Sequence, residues 1–453
     1  MAEDRRPSAE DRRPITGDQS PGTPGKTTTA QGSVPSAQPG ATGGRLGPAG
    51  NLALMTVASL VCFWAWNSIG PLSATYSHAM DLSSSASAIL VAMPVLVGSL
   101  GRIPVGALTD RYGGRKMMAV VCFASIIPVL LVGIFADLNQ YVLLLISAFL
   151  LGVAGTCFAV GIPFVNAWYP PARRGFAAGV FGMGMVGTAV AAFFTPRFVN
   201  WFGGVSTHVI LAVALAIAGV VVLMFSHDSP AWQPQRVPFV PKLLAAAKLP
   251  VTWNMCVLYG IVFGGFVAFS SYLPTYLKTI HVYNFTPVEA GSRVAVFALA
   301  AVIARPIGGA IADRIAPKIV VLVSLAGTLV MAALVNIQPR PELSAGLIFC
   351  ALAFFLGIGT GGVFAWLTKL APPERVGTVT GLVSAAGGLG GYFPPLVMGA
   401  TYDAAGNDYH IGLILLCIVC AIALVYTTFL VPADDPTRRV TRRDKETGQP
   451  ARP

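Results

Sequence analysis

Gly101-Arg102-Ile103-Pro104-Val105-Gly106-Ala107-Leu108-Thr109-Asp110-Arg111-Tyr112-Gly113-Gly114-Arg115-Lys116 sets one arginine inside an apolar run and a charged turn at that run's end. No residue from Ser87 to Leu100 is charged, so the chain reaches Arg102 through lipid-compatible sequence and returns to water at Asp110-Arg111. This reads as a buried cation followed by a helix end. The arrangement returns as Ala304-Arg305-Pro306-Ile307-Gly308-Gly309-Ala310-Ile311-Ala312-Asp313-Arg314-Ile315-Ala316-Pro317-Lys318. A constant offset of 203 residues relates Arg102 to Arg305, Gly106 to Gly309, Asp110 to Asp313, Arg111 to Arg314 and Arg115 to Lys318. Such a register reports a duplicated architecture with a pseudo-twofold pair of arginines.

Composition fixes the solvent. Apolar residues make up 55% of the 453 and charged residues 11%, with a mean hydropathy of +0.69. A soluble domain carries about twice that charge, so most of this chain faces hydrocarbon. The net charge of +11 is dispersed over short connections and two tails, without the clustered, aromatic-interleaved patch of a nucleic-acid binder. All seven cysteines fall in apolar runs, which argues for packing over disulfides. Cys417-x-x-Cys420 has no His or acidic companion nearby, so no metal site is expected.

Twelve hydrophobic stretches are each long enough to cross about 30 Å of hydrocarbon at 1.5 Å per residue. They lie near 52–72, 86–109, 117–136, 141–166, 176–197, 205–226, 252–277, 290–312, 318–337, 343–368, 378–401 and 410–431. The expectation is an all-α membrane protein of two pseudo-symmetric six-helix halves, 51–226 and 252–431, joined by a linker over 227–251. Residues 1–50 are rich in Pro, Gly, Ser and Thr and predict a disordered tail; 432–453 forms a second tail. The Arg5-Arg6 and Arg12-Arg13 pairs do not make an export signal, because no apolar segment follows until about Asn51. Arg111, Arg115, Lys116, Arg173, Arg174, Arg236, Lys242, Lys248, Arg314, Lys318, Lys369 and Arg375 fall in alternate loops, and the opposite loops hold far fewer. The positive-inside rule then places the first set, and both tails, in the cytoplasm. The basic cluster at Arg438, Arg439, Arg442 and Arg443 agrees.

Arg102 precedes Arg111 by nine positions, about 13 Å along a helix and close to the centre of the bilayer. A cation there is costly unless paired or hydrated, and marks a substrate or ion path. The spans offer no counterion: Asp81, Asp137, Asp403, Asp408 and Glu289 belong to one set of ends, Asp110 and Asp313 to the other. The simplest partner is a small anionic substrate, which accepts the planar guanidinium fork. The alternative is an arginine that snorkels or binds backbone carbonyls without touching substrate.

Gly106-x-x-x-Asp110-Arg111-x-Gly113-x-Arg115-Lys116 resembles the signature between the second and third helices of the major facilitator superfamily, and Gly309-x-x-x-Asp313-Arg314 is its weaker copy. The resemblance implies that this turn gates, through charge contacts with the other half. Gly106, Asp110, Arg111, Gly113, Arg115, Gly309, Asp313 and Arg314 are thus gating candidates, with helix-end capping as the other reading. Phe158-Ala159-Val160-Gly161, Tyr169 to Gly175, Gly179-x-x-Gly182-Met183-Gly184-Met185-Val186-Gly187 and Gly387-Gly388-Leu389-Gly390-Gly391-Tyr392-Phe393-Pro394-Pro395 are similar to the nitrate/nitrite porter family, particularly its actinobacterial members. That resemblance implies substrate contacts at Arg102, Arg305, Tyr259, Phe263 and Phe158. It also marks a departure: Met185 stands where many members carry an asparagine. The glycines Gly179, Gly182, Gly184, Gly187, Gly387, Gly388, Gly390 and Gly391 read chiefly as helix-packing positions, with direct substrate contact as the alternative. Trp64, Trp66, Trp168, Trp201 and Trp366 read as interface anchors or packing residues.

The reading is a plasma-membrane transporter whose halves rock around a central site, with nitrate import and nitrite export as its leading form. Proton symport stays open, as does a facilitator for another small anion such as a monocarboxylate. A membrane sensor working through its tails is the rival from another class. No nucleophile is paired with a base, so no enzyme, and no cofactor, is expected. The expected partners are nitrate, nitrite, the lipid bilayer and, for symport, protons; a monomer suffices.

Overall fold

The computed structural model describes residues 46–170, 173–230, 232–234, 239–280, 282–340, 343–372, 376–402 and 408–430. The expected tails lie outside these residues, apart from 46–50, as do Arg236, Arg375 and Asp403.

Eleven helices among the described residues are long and apolar enough to cross a bilayer. The first six spans are Pro48–Ala79, Ser84–Tyr112, Gly114–Asp137, Tyr141–Trp168, Ala177–Phe202 and Gly204–Phe225. Pro250–Thr279, Pro287–Arg314, Pro317–Asn336 and Leu343–Leu370 are the seventh to tenth, and His410–Phe429 is the last. The eleventh stretch, expected as one span over 378–401, is instead two helices, Val376–Gly390 and Phe393–Ala400. The amides of Gly391 and Tyr392 turn to carbonyls three residues back, at 2.9 and 3.0 Å, and Pro394 and Pro395 have no N–H to continue the ladder. The stretch expected as a linker, 227–251, contains a short helix, Phe239–Ala247, and yields its last two residues to the seventh span.

Local chemistry sets the helix ends. Gly113 (φ +89°) and Gly203 (φ +86°) turn the chain between adjacent spans in a conformation that favours glycine. Thr286 and Glu289 form a capping box with Pro287 at the first helical position. Ile127, Val142, Ile217, Ile303 and Ile422, on five different spans, are between 58% and 65% exposed. An outer surface this apolar is a lipid-facing one.

The two halves meet tightly at the ends away from the Asp110–Arg111 turn. A Cβ on Gly70 would lie 2.6 Å from the Ser271 carbonyl, one on Gly291 2.2 Å from the Ala192 carbonyl, and one on Gly399 2.4 Å from Ala88. Ser73 and Thr275 share a hydroxyl hydrogen bond across the same seam, and Arg197 donates to the Ser292 hydroxyl at 2.8 Å. On the other side, a Cβ on Gly179, Gly182, Gly309 or Gly381 would meet nothing within 4 Å. The backbone-close seams between the halves thus lie at the ends away from the charged turn, which is the closed face.

Candidate functional site

The second span breaks at Gly101, and Arg102 begins the next helical segment, Arg102–Tyr112. A Cβ on Gly101 would lie 2.9 Å from Thr156 Cγ2, so only glycine lets the second and fourth spans approach this closely. The fourth span tightens to a 3-10 turn over Gly152–Thr156. That turn presents the Gly155 carbonyl, which Arg102 Nε reaches at 3.4 Å. Arg102 Nη1 donates to the carbonyl and hydroxyl of Ser384 in the other half, at 2.9 and 3.0 Å. Arg102 is 3% exposed, and its Nη2 is buried without a hydrogen-bond partner among the described residues.

Arg305 is held differently. Its backbone is fixed where the eighth and tenth spans pack without side chains between them: a Cβ on Gly361 would lie 2.2 Å from the Arg305 carbonyl. Among the described residues its guanidinium finds only weak acceptors. Nη2 sits 3.5 Å from the Tyr259 hydroxyl and Nη1 contacts the Met185 thioether. The fifth span presents Met185 from another one-turn 3-10 segment, Met183–Met185. Irregular turns in two spans thus occur where the chain faces the arginines.

Aromatic rings wall both cations. The Arg102 guanidinium carbon lies 5.5 Å from the centre of the Phe158 ring, 5.7 Å from that of Phe263 and 5.9 Å from that of Trp66. The Arg305 carbon lies 4.9 Å from Phe263 and 5.8 Å from Phe266. Phe263 is therefore shared by both arginines. It stacks on Tyr259 at 4.9 Å and 14°. Gly387 leaves room for that stack, since a Cβ there would lie 2.1 Å from the Tyr259 ring.

The structure thus gathers Arg102, Arg305, Tyr259, Phe263 and Phe158 around one centre. Among the described residues, no Asp or Glu is buried. Two cations in low dielectric without a carboxylate repel each other and attract an anion. The rings and the phenol offer a planar, weakly hydrated oxyanion apolar faces and one hydrogen-bond donor. Among the described residues, no three His, Cys, Asp or Glu side chains cluster as a metal site would require.

Sequence reasoning missed Ser384, Phe266 and Trp66 as site residues. Ser384 lies three residues before the glycine row and is one of many serines, so only the helix crossing distinguishes it. Trp66 is 4% exposed with its indole N–H on the Pro94 carbonyl at 2.9 Å, which places it in the packing around Arg102 and away from any interface.

Of the eight glycines read as packing positions, six meet close neighbours. Cβ atoms on Gly184, Gly187, Gly388, Gly390 and Gly391 would lie 2.9 Å from Ser59, 2.1 Å from the Leu60 carbonyl, 2.1 Å from Ser99, 2.0 Å from the Gly260 carbonyl and 2.7 Å from Val267, and Gly387 meets Tyr259 as above. Gly179 and Gly182 differ from these six: a Cβ on either would meet nothing within 4 Å.

The charged turn rests on a residue that the sequence did not single out. Asp228, just after the sixth span, accepts from the Arg115 amide at 3.0 Å, and a Cβ on Gly113 would lie 2.5 Å from its carboxylate. Arg115 also donates to the Leu223 carbonyl at the end of the sixth span. Lys318, its repeat partner, donates to the Thr428 and Leu430 carbonyls at 2.8 and 2.6 Å at the end of the last span. Basic side chains at helix C-termini satisfy free carbonyls and oppose the negative dipole end. Arg111 lies 5.4 Å from the Tyr112 ring, Gly106 is 3.9 Å from Ala159 by its notional Cβ, and Asp313 and Arg314 are exposed.

Comparison with known proteins adds three findings. The family model described as the Major Facilitator Superfamily matches residues 55–332 and 279–453. The chain is similar to a probable nitrate/nitrite transporter, NarK2, of Mycobacterium tuberculosis, with 60% identity over 381 residues, 84% of this chain and 96% of that protein. It is 31% identical to a nitrite extrusion protein of Bacillus subtilis over 84% of this chain and 93% of that one, and 33% identical to a probable nitrate/nitrite antiporter, NarK1, of Thermus thermophilus over 76% and 83%. A solved bacterial homologue of the human lysosomal transporter Spinster, inward-facing and unoccupied, superposes with a TM-score of 0.65 at 17% identity, over 84% of this chain and 95% of that one. That likeness concerns the fold.

Proposed function

We infer the transported ions from a premise of membership: the chain belongs to the Major Facilitator Superfamily, and it is a multi-pass membrane transporter of nitrate and nitrite, not an enzyme. Arg102 and Arg305 are the proposed anion clamp, with Phe158 and Phe263 against the faces of the ion and the Tyr259 hydroxyl as a further donor. The observation that carries this reading is the unpartnered Arg102 Nη2, buried beside a ring that Arg305 also faces, with no buried carboxylate among the described residues. An anion supplies the missing charge and accepts the free N–H.

The halves 51–226 and 252–431 are proposed to rock around this clamp, with Asp110, Arg111, Gly113, Arg115 and their copies Asp313 and Arg314 at the gate. Positive-inside bias supports cytoplasmic termini, which makes the face with the charged turn cytoplasmic and the described state inward-open. An empty site holds about two uncompensated positive charges, a barrier to closing it in low dielectric. That barrier favours return with a second anion, hence nitrate import coupled to nitrite export, by a monomer. Proton symport is the second reading; it needs a proton carrier other than a buried carboxylate.

Labelled nitrate and nitrite flux in proteoliposomes, with nitrate, nitrite or neither trapped inside, tests the reading. Uptake that requires a trapped anion supports exchange. Uptake driven by an inward proton gradient, with nothing trapped, replaces exchange by symport. Absence of flux for both ions overturns the assignment.

A further inference from the structure

At the closed face, away from the charged turn, the ends of the seventh, eighth and tenth spans leave a pocket of about 480 Å³. Its walls are Leu273 and Leu277 from the seventh span, Val296 from the eighth, and Leu343, Phe349 and Cys350 from the tenth. Tyr283 closes it from the side, its hydroxyl donating to the Pro339 carbonyl at 2.8 Å, so a bond between two loops holds the pocket's shape. The volume lies within the range of small-ligand sites. Its lining is apolar except at the mouth, where Ser292 and Arg293 stand.

Arg293 is exposed, and its guanidinium carbon lies over Phe285, 3.7 Å from the ring centre. One N–H goes to the Glu289 carbonyl at 3.2 Å. The Glu289 carboxylate accepts from the Thr286 amide and hydroxyl at 2.9 and 2.8 Å and feels the Arg293 charge one turn away, without a hydrogen bond between the two among the described residues. The remaining guanidinium donors have no partner among the described residues. A cation–ring contact and a backbone hydrogen bond thus hold a cation near the start of the eighth span, where one leaflet's headgroups would lie, beside an apolar slot.

We propose that this pocket binds an anionic phospholipid of the leaflet opposite the Asp110–Arg111 turn, one acyl chain in the slot and the phosphodiester on Arg293. The class follows from complementarity. A neutral apolar ligand leaves the remaining guanidinium donors unmatched, and a free inorganic anion leaves the slot empty. A zwitterionic lipid carries its own ammonium, which competes with Arg293 for the phosphate. Ser292, at the same mouth, receives Arg197 from the other half, so the site shares a residue with the seal of the closed face.

The test is lipid retention, independent of transport. The full-length protein is reconstituted in vesicles of equal phosphatidylglycerol and phosphatidylcholine, extracted gently, and its bound lipid counted by native mass spectrometry. In parallel, alkylation of Cys350 by a membrane-soluble maleimide is followed by peptide mapping. Phosphatidylglycerol is expected to be retained about five-fold over phosphatidylcholine, as one interfacial cation predicts, and to slow Cys350 alkylation. Arg293→Gln is expected to abolish the preference and Arg293→Lys to keep most of it. Gly346, which lines the pocket and has open space at its Cβ position, allows Gly346→Leu to fill the slot and lower retention of both lipids. Equal retention of the two lipids by the unaltered protein, or a preference that survives Arg293→Gln, overturns the proposal.

Discussion

Arg102 in the second span donates through Nη1 to both oxygens of Ser384 in the eleventh, at 2.9 and 3.0 Å, so one guanidinium ties the two halves together. Its repeat partner Arg305 reaches across to the Met185 thioether, a weak acceptor, and within its own half to the Tyr259 phenol at 3.5 Å. The duplicated arginines therefore occupy unequal settings, one anchored and one loosely held.

Ser384→Ala removes one acceptor of this tie and leaves the carbonyl. A hydrogen bond to a charged group contributes about 1.5–3 kcal/mol, so the anion-free protein is expected to melt several degrees lower in detergent. Saturating nitrate should narrow the gap, because the anion replaces the lost oxygen, and Ser384→Thr should restore most of it. An equal drop with and without nitrate would separate Ser384 from the anion site.

Arg102→Lys and Arg305→Lys each exchange a planar fork for a point charge. Loss of two charge-assisted hydrogen bonds, about 3 kcal/mol together, predicts roughly a 100-fold fall in counterflow. Arg102→Lys is also expected to lower thermal stability, since it surrenders bonds to Gly155 and Ser384. Arg305→Lys, which gives up weaker contacts, should melt near the parent. Identical melting losses in the two variants would contradict the asymmetry.

Tyr259→Phe keeps the stack on Phe263 and removes only a hydroxyl 3.5 Å from Arg305. Folding should be unchanged. The half-saturating anion concentration should rise about three- to ten-fold, the value of one modest hydrogen bond of about 0.5–1.5 kcal/mol. An unchanged concentration dependence would remove the phenol from the proposed ligand set.

Gly387→Ala and Gly182→Ala contrast a filled space with an open one. At Gly387 the added methyl would lie 2.1 Å from the Tyr259 ring, and overpacking of that kind costs about 1–3 kcal/mol. At Gly182 it meets nothing within 4 Å. Thermal melting should separate the pair by several degrees, and only Gly387→Ala should lose transport.

Gly113→Ala forces a side chain into φ +89° and against the Asp228 carboxylate. A residue strained in this way costs about 1–3 kcal/mol. Asp228→Asn keeps the space but weakens the acceptor for the Arg115 amide. Both are expected to lower melting temperature, Gly113→Ala the more. Ala316, which stands where the second repeat has no such glycine, is expected to accept glycine with little change.

Sequence alone determined the architecture, because hydrocarbon demands long uncharged helices and because a register of 203 residues between charged positions survives in a linear text. It also picked out Arg102 and Arg305, since a cation inside an apolar run is conspicuous before any folding is known, and the family resemblance supplied Tyr259, Phe263 and Phe158. Tertiary structure decided what the sequence spaced far apart. Ser384 reaches Arg102 from 282 residues away, and Asp228 reaches the Arg115 amide from 113. Neither carries a local signal, because serines and loop aspartates are common and only helix crossing gives these two a partner. The same holds for the glycines: spacing cannot tell Gly187, pressed on the Leu60 carbonyl, from Gly182, which faces open space. Which glycines pack depends on where two helices cross and on which face of the molecule is closed, and those are properties of the assembled halves.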